Sequence, residues 1–373
     1  MDELVTLLSD LVKIPSVCGD EGKIARFILK WLGRKKVSAR LFPVKPGRPN
    51  VLARLKGAKP GPRIMLNGHM DTVEAGQGWK HDPFGAEIEG GRMYGRGTVD
   101  MKGGLASILW SAAQCRKEGL PKRGELVVAG VVDEEALDLG SYALVKKGIT
   151  NGLDFAMIAE PTELSVVTSH MGRAVFDVTV HGRAAHSHWP DHGVNAIEKA
   201  AALITSLPRI EGPTHPKMGK STINTLRIEG GQESTMLVPD RCRLVIDRCL
   251  VPGYTGNAAL DDLKKLIRDT GVDAEAKLVD RETPFCDPFD IPDSHPKVQE
   301  IADIVTKALG KRPEIDYHGG PCDSCILVNQ GKVPTIEFGP TGGRLHESDE
   351  YVELETVEKA AQVYSEIIRN YLS

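Results

Sequence analysis

Glu125-Leu126-Val127-Val128-Ala129-Gly130-Val131-Val132 is a near-continuous apolar run, and it breaks off into Asp133-Glu134-Glu135. A run of this kind reads as a strand buried on both faces, the habit of parallel sheets covered by helices. Four other stretches also deliver ligand-type side chains. Ile64-Met65-Leu66-Asn67-Gly68 runs into His69-Met70-Asp71, and Asp100 closes Gly95-Arg96-Gly97-Thr98-Val99-Asp100. Phe155-Ala156-Met157-Ile158-Ala159 runs into Glu160, and Ile336-Glu337-Phe338-Gly339 precedes His346-Glu347 after a glycine-rich loop. Open α/β sheets build their sites in the crevice beyond the carboxyl ends of the strands. The five stretches are therefore expected to converge, and imidazoles with carboxylates are what a hydrolytic zinc centre needs.

Working outward, apolar spacing predicts helices over 2–13, 21–32, 102–118 and 141–147, and strands over 49–56, 63–68, 125–132 and 154–159. This alternation predicts an α/β fold with a doubly wound, largely parallel sheet. Near Gly172 the texture changes. Half-exposed strands are expected over 174–180, 221–228, 241–247 and 274–279, with helices over 194–206 and 261–269. Strand–helix–strand–strand–helix–strand is the order of a ferredoxin-like α+β domain. The expected organisation is a catalytic domain of residues 1–172 and 283–373, closed by a helix over 354–371, with a lid or dimerisation domain of 173–282 inserted.

The 373 residues suit two domains better than one core. Apolar residues at 41% and charged residues at 26% are the mix of a soluble globular protein. A net charge of -4 leaves no basic footprint for nucleic acid, and aromatics at 5% leave few stacking platforms. No apolar run approaches the ~20 residues that span a bilayer. Met1-Asp2-Glu3-Leu4 lacks the basic region and cleavage site of a signal peptide, so a cytoplasmic location is expected. Seven scattered cysteines fit reduced thiols.

Each candidate has an ordinary alternative. His69 and Asp71 could face one way on an extended segment, or Asp71 could fix the tautomer of a metal-binding His69; a hydrogen-bonded loop pair is the plain reading. Asp100 could bind metal or cap the helix that follows it. Adjacent side chains on extended chain point to opposite sides, so one of Glu134 and Glu135 could bind metal while the other serves as general base. Pro161 biases Glu160 towards extended backbone.

The order and content of these stretches resemble a known family. Gly68-His69-Met70-Asp71, Gly95 to Gly104, Asp133-Glu134-Glu135 and Glu160-Pro161-Thr162 are similar to the dinuclear-zinc amidohydrolases and exopeptidases. That family includes acetylornithine deacetylase, succinyl-diaminopimelate desuccinylase, aminoacylase and glutamate carboxypeptidase. The resemblance continues through Gly182-Arg183-Ala184-Ala185-His186-Ser187, Gly193 to Ile197, Asp247-Arg248 and His346 to Glu350.

The resemblance implies that Asp100 bridges two zinc ions, with cobalt or manganese as possible substitutes. His69 and Glu160 would complete one metal, Glu135 and His346 the other. Glu134 would be the general base, Asp71 would orient His69, and His186 would reach the tetrahedral oxyanion, often from the partner subunit of a homodimer. His188 and His192 lie near it, so a surface histidine is its alternative. Arg248 would bind a substrate carboxylate, with an ion pair to Asp247 as the alternative.

Two stretches depart from the family pattern. Many relatives carry Asn shortly before the Val-Pro where this chain has Ser234-Thr235-Met236-Leu237-Val238-Pro239; the resemblance implies Asn224 as a substrate-binding candidate in another family role. Gly319-Gly320-Pro321-Cys322-Asp323-Ser324-Cys325 replaces a Gly-Gly-Thr-Asp-Ala type sequence and creates a Cys-x-x-Cys. No second cysteine pair completes a structural zinc site.

The expected activity is hydrolysis of the amide of a small N-acyl amino acid bearing a free carboxylate. A carboxypeptidase or dipeptidase is the alternative within the family, and a non-catalytic binding protein the alternative outside it.

Overall fold

The computed structural model describes residues 2–232 and 236–373. Its apolar runs lie side by side in one sheet. Strands β1 (Ala39–Lys45), β2 (Arg48–Lys56), β3 (Lys59–His69), β4 (Arg123–Val131), β5 (Phe155–Ile158), β6 (Val166–His170) and β7 (Thr335–Glu337) stand in the order β1-β2-β4-β3-β5-β7-β6. The central four, β4, β3, β5 and β7, are mutually parallel, while β1, β2 and β6 pair antiparallel. Every residue of β4 from Glu125 to Val131 is buried, as an unbroken apolar run demands.

Parallel pairing puts the strand ends on one edge. His69 pairs with Val131, Asn67 with Ile158, and Ile158 with Glu337. The residues that follow each strand, where the ligand-type side chains lie, therefore leave the sheet together.

The chain divides into two units, the first comprising 1–168, 291–316 and 322–373. Its helices include α1 (Asp2–Val12), α2 (Gly22–Arg34), α3 (Gly103–Lys117), α4 (Leu139–Lys146), α5 (Pro296–Leu309), α6 (Asp323–Asn329) and α7 (Leu354–Leu372). Small residues let α3 pack closely: Ser107 Oγ donates to the Val357 carbonyl at 3.0 Å and Ser111 Oγ to that of Ala361 at 2.7 Å, both on α7. A Cβ on Gly104 would collide with the carbonyl of Ala159, so glycine is what brings α3 against the end of β5.

The second unit, 169–290 with 317–321, has its own apolar core. Strands Gly172–His181, Ile223–Gly230, Arg241–Leu250 and Ala274–Leu278 and helices Ala196–Ser206 and Gly256–Thr270 follow the strand–helix–strand–strand–helix–strand order. The sheet is antiparallel, with Ile223–Gly230 and Ala274–Leu278 at its edges.

The elements that sequence spacing missed include β1, β6, α5, α6 and a hairpin of Glu87–Glu89 with Arg92–Tyr94. The units part at 168/169 and 290/291 rather than at 172/173 and 282/283, and 317–321 goes with the second unit. The mixed polar and apolar sequence of Val166–His170 carries no boundary signal. No helix of the described residues is long and apolar enough to cross a membrane.

Candidate metal centre

All six expected metal-binding and base side chains lie in the first unit, and they meet around Asp100 and His69. His69 ends β3 and is fully buried. Its Nδ1–H donates to the backbone carbonyl of Asp71 at 2.9 Å, which turns Nε2 inward. That nitrogen lies 3.1 Å from Asp100 Oδ1, 3.8 Å from Glu160 Oε1 and 4.0 Å from Glu134 Oε2. Asp100 Oδ2 lies 3.2 Å from His346 Nε2, which is also 3.2 Å from Glu135 Oε2. One carboxylate thus stands between two imidazoles, each with further carboxylates around it. His69, Asp100 and Glu135 offer ligand atoms within 4.8 Å of one another, and so do His69, Glu134 and Glu160.

Local backbone explains the placement. Gly97 takes a φ of +81 ahead of Asp100, a turn conformation that suits glycine. Asp100 makes no capping bond to α3, so the spacing-based alternative of a helix cap is not what its carboxylate does. His346 also has a positive φ, +62, at a loop position, and its side chain is half exposed.

Asp71 differs from expectation in one respect. Its carbonyl, not its carboxylate, receives the His69 proton; Oδ1 is 3.8 Å from Nδ1, too far for a hydrogen bond. The carboxylate turns to the Glu135 amide, which donates to Oδ2 at 3.1 Å. Burial pushes this carboxyl up to about 6 against the pull of His69.

Charge supports a cation site. Burial pushes the carboxyls of Glu160 and Glu134 well above the usual range, opposed by His69 and reinforced by neighbouring carboxylates. Burial acts the same way on Asp100, but hydrogen bonds from His346 and His69 hold it well below its ordinary value. Glu160 Oε1 is buried with no hydrogen-bond partner among the described residues. Asp100, Glu134, Glu135 and Glu160 with two imidazoles form a set that two divalent cations would neutralise. Nitrogen and oxygen donors of this kind suit zinc, cobalt or manganese.

The remaining candidates belong to the second unit. Arg248 is 1% exposed, and its three guanidinium nitrogens have no hydrogen-bond partner among the described residues. Asp247 pairs with Arg173 at 2.7 Å, so the Asp247–Arg248 ion pair does not form. Arg248 and Asn224 line a cleft of about 610 Å³ together with Ile204, Leu207 and Ile223. His186 is exposed, with its ring 4.9 Å from that of Trp189. The His188 amide donates to His186 Nδ1 at 3.2 Å, which leaves the proton on Nε2. Ser234 and Thr235 lie outside the described residues.

Cys322 and Cys325 are buried thiols, neither of them in a disulfide. Cys322 Sγ donates to Glu337 Oε1 at 2.6 Å, and neither cysteine joins a group of candidate metal ligands among the described residues.

Spacing missed the supports of the centre. Glu350 accepts from Arg96 and from three amides of the Gly97–Asp100 turn, and Arg48 pairs with Glu21 and Asp133. A lone acid or base in a loop gives no local signal of a buried ion pair with a distant residue.

Comparison with known proteins follows the same lines. The sequence pattern of peptidase family M20/M25/M40 matches residues 65–370. A succinyl-diaminopimelate desuccinylase of Gluconobacter oxydans is 28% identical, covering 98% of this chain and 97% of that protein. An aminopeptidase (PepT) of Bacillus cereus superposes with a TM-score of 0.81 at 23% identity, covering 98% of this chain and 97% of its own. A dinuclear metal-binding M20 peptidase of Bacillus subtilis superposes with a TM-score of 0.75 at 17% identity, covering 100% and 98%.

Proposed function

The chain belongs to peptidase family M20/M25/M40, and from that premise we propose that it hydrolyses the amide bond of a small N-acyl amino acid carrying a free carboxylate. The observation that carries the reading is Asp100 standing 3.1 Å from one imidazole and 3.2 Å from another. In this proposal His69, Asp100 and Glu160 hold one zinc ion, and His346, Asp100 and Glu135 hold a second. Two divalent cations there supply the charge that lowers the pKa of water and polarises a scissile carbonyl.

The side chains do the rest. Glu134 takes the proton of the attacking water on a carboxylate oxygen and delivers it to the leaving amine nitrogen. Its side chain, 12% exposed and with Oε2 4.0 Å from His69 Nε2, suits a group that must both accept and release a proton there. Asp71 fixes the Glu135 amide and, through its carbonyl, the His69 tautomer. The proton on His186 Nε2 suits it as a donor to the tetrahedral oxyanion.

Arg248 supports the demand for a carboxylate. A buried guanidinium that lies over the Tyr254 ring and whose nitrogens have no hydrogen-bond partner among the described residues is matched by a bidentate anion, and Asn224 on the same cleft adds an amide. The desuccinylase name of a relative 28% identical over nearly the whole chain favours a deacylase. A carboxypeptidase or dipeptidase of the same family is the second reading.

A homodimer through the second unit is part of the proposal. The edge strand Ile223–Gly230 exposes Leu226 at 51% and Ile228 at 49%, an apolar edge that a second copy would cover.

The test is hydrolysis of N-acetyl and N-succinyl amino acids, their methyl esters, and dipeptides. N-acyl amino acids should be cleaved and their esters poorly. Faster dipeptide cleavage would favour the second reading. No cleavage across the panel would favour a binding protein.

A further inference from the structure

Arg48, the first residue of β2, lies in a buried cluster of which the proposed chemistry uses only Asp71. Its Nε donates to Glu21 Oε2 at 2.7 Å and its Nη2 to Glu21 Oε1 at 2.6 Å; Nη2 also donates to Asp133 Oδ1. Cys18 Sγ lies 3.4 Å from the same Asp133 oxygen and 3.8 Å from Arg48 Nη2. Ligand-type atoms of Cys18, Glu21 and Asp71 stand within 4.8 Å of one another. Glu21, Asp71 and Asp133 are all buried. The guanidinium already supplies positive charge to this acidic cluster, so it reads as a brace rather than as another metal site. Losing it would leave buried carboxylates uncompensated.

The brace joins two ligand-bearing segments. Residues 16–18 run alongside 70–72: the Thr72 amide donates to the Ser16 carbonyl at 3.0 Å, the Cys18 amide to that of Thr72 at 2.9 Å, and Ser16 Oγ to that of Met70 at 2.8 Å. Glu21, three residues on, is therefore anchored close to His69-Met70-Asp71.

Asp133 opens the turn that presents Glu134 and Glu135. It takes a φ of +71, which is unfavourable for a non-glycine residue, and its carbonyl accepts the amides of Leu137 at 3.1 Å and Asp138 at 2.7 Å. Its Oδ2 has no hydrogen-bond partner among the described residues, so its side chain is held at Oδ1, by Arg48 and Cys18. Asn50, two residues along the same strand, grips the same turn at both ends. It accepts the Val132 amide at 3.1 Å and donates to the Gly140 carbonyl at 3.0 Å. Residues two apart on a strand share a face, so Arg48 and Asn50 act on the turn together.

We infer that Arg48 is a positioning residue. Through Asp133 it holds the turn carrying Glu134 and Glu135, and through Glu21 it ties that turn to the His69–Asp71 segment. The inference rests on the roles proposed above for Glu134 and Glu135.

The experiment compares Arg48→Met, Arg48→Lys, Asp133→Asn and the Arg48→Met/Asp133→Asn double variant. The first readout is amide hydrogen exchange of the metal-free protein. In Arg48→Met the amides of Leu137 and Asp138 should exchange about tenfold faster or more, while those of α3 keep wild-type protection. The second is steady-state kinetics on the best substrate. Here kcat should fall about 10–100-fold with KM within about threefold, because misplacing catalytic groups by an ångström costs about that much. Arg48→Lys should fall between, and the double variant should be no worse than the worse single one.

Unchanged exchange at Leu137 and Asp138 would overturn the inference, and so would equal acceleration across α3, which would mark Arg48 as a general stabiliser. If the wild type cleaves nothing in the panel, the proposed function fails, and the exchange readout alone decides what Arg48 holds.

Discussion

Glu350 Oε1 accepts the backbone amide of Asp100 at 3.2 Å. The same oxygen accepts the Val99 amide at 3.0 Å, while Oε2 accepts Arg96 Nη1 at 2.6 Å and the Gly97 amide at 3.0 Å. One buried carboxylate thus fixes the turn that aims the proposed bridging ligand, and it does so from the loop that carries His346. Glu350→Ala would leave Arg96, 1% exposed, without its counter-charge. Unfolding in urea should show a loss of about 3–5 kcal/mol, the cost of breaking a buried ion pair. A loss under about 1 kcal/mol would place the pair among surface-like bridges.

Glu134→Gln separates a base from a ligand. Glu134 lies within 4.8 Å of ligand atoms on His69 and Glu160, close enough for either role. As a base, its loss should lower kcat about 10²–10⁴-fold with metal content and KM near wild type. Loss of bound metal in the variant would make Glu134 a ligand.

Gly104→Val should fail through packing and reach the centre from there. A side chain would press on the Ala159 carbonyl, one residue before Glu160. Overpacking of this kind costs about 1–3 kcal/mol. The expected signature is a lower urea midpoint together with weaker metal binding. An unchanged midpoint would mean that α3 and β5 can move apart freely.

Arg248→Met should act on binding. If the guanidinium holds a substrate carboxylate alike in the ground and transition states, KM should rise about 10–100-fold with kcat little changed. Equal loss of kcat and kcat/KM would mean that Arg248 acts only in the transition state.

Glu125 gives the pH dependence a clear sign. It accepts from Arg54 Nε at 2.6 Å and from Arg63 Nε at 2.7 Å. Burial pushes its carboxyl up, but the two guanidiniums outweigh burial and bring it below the ordinary value of 4.5. A pKa lowered on folding stabilises the fold at pH values above the unfolded pKa, and that stability is lost as pH falls through the folded one. The stability gap between wild type and Glu125→Gln should therefore be widest at neutral pH and shrink on acidification below 4.5. Urea midpoints at several pH values test this; a gap that widens in acid would reverse the sign.

The strand ends were legible because their signal is local. Leu126 to Val132 is apolar without a break, and Asp133 breaks it. The same holds for Ile64 to Leu66 before His69 and for Phe155 to Ala159 before Glu160. What joins them was not legible. Asp100 and Glu350 are 250 residues apart, and nothing in either stretch announces the other. Arg48 and Asp133 are 85 apart, and an arginine between glycine and proline reads as a loop. The His69–Asp71 pair was legible as a pair but not in its atoms. Spacing brings the residues together, whereas the turn decides that the Asp71 carbonyl faces the imidazole and its carboxylate faces Glu135. β6 was missed because Val166-Val167-Thr168-Ser169-His170 mixes apolar and polar residues, though every one of them is buried.

The central claim is that Asp100 bridges two metal ions that drive hydrolysis. Metal content per chain, measured by elemental analysis alongside hydrolysis before and after chelation, tests it most directly. The account predicts about two divalent ions per chain, activity abolished by chelation and restored by zinc, and both lost in Asp100→Ala. A chain that takes up no metal, or hydrolysis that survives full chelation, would contradict it.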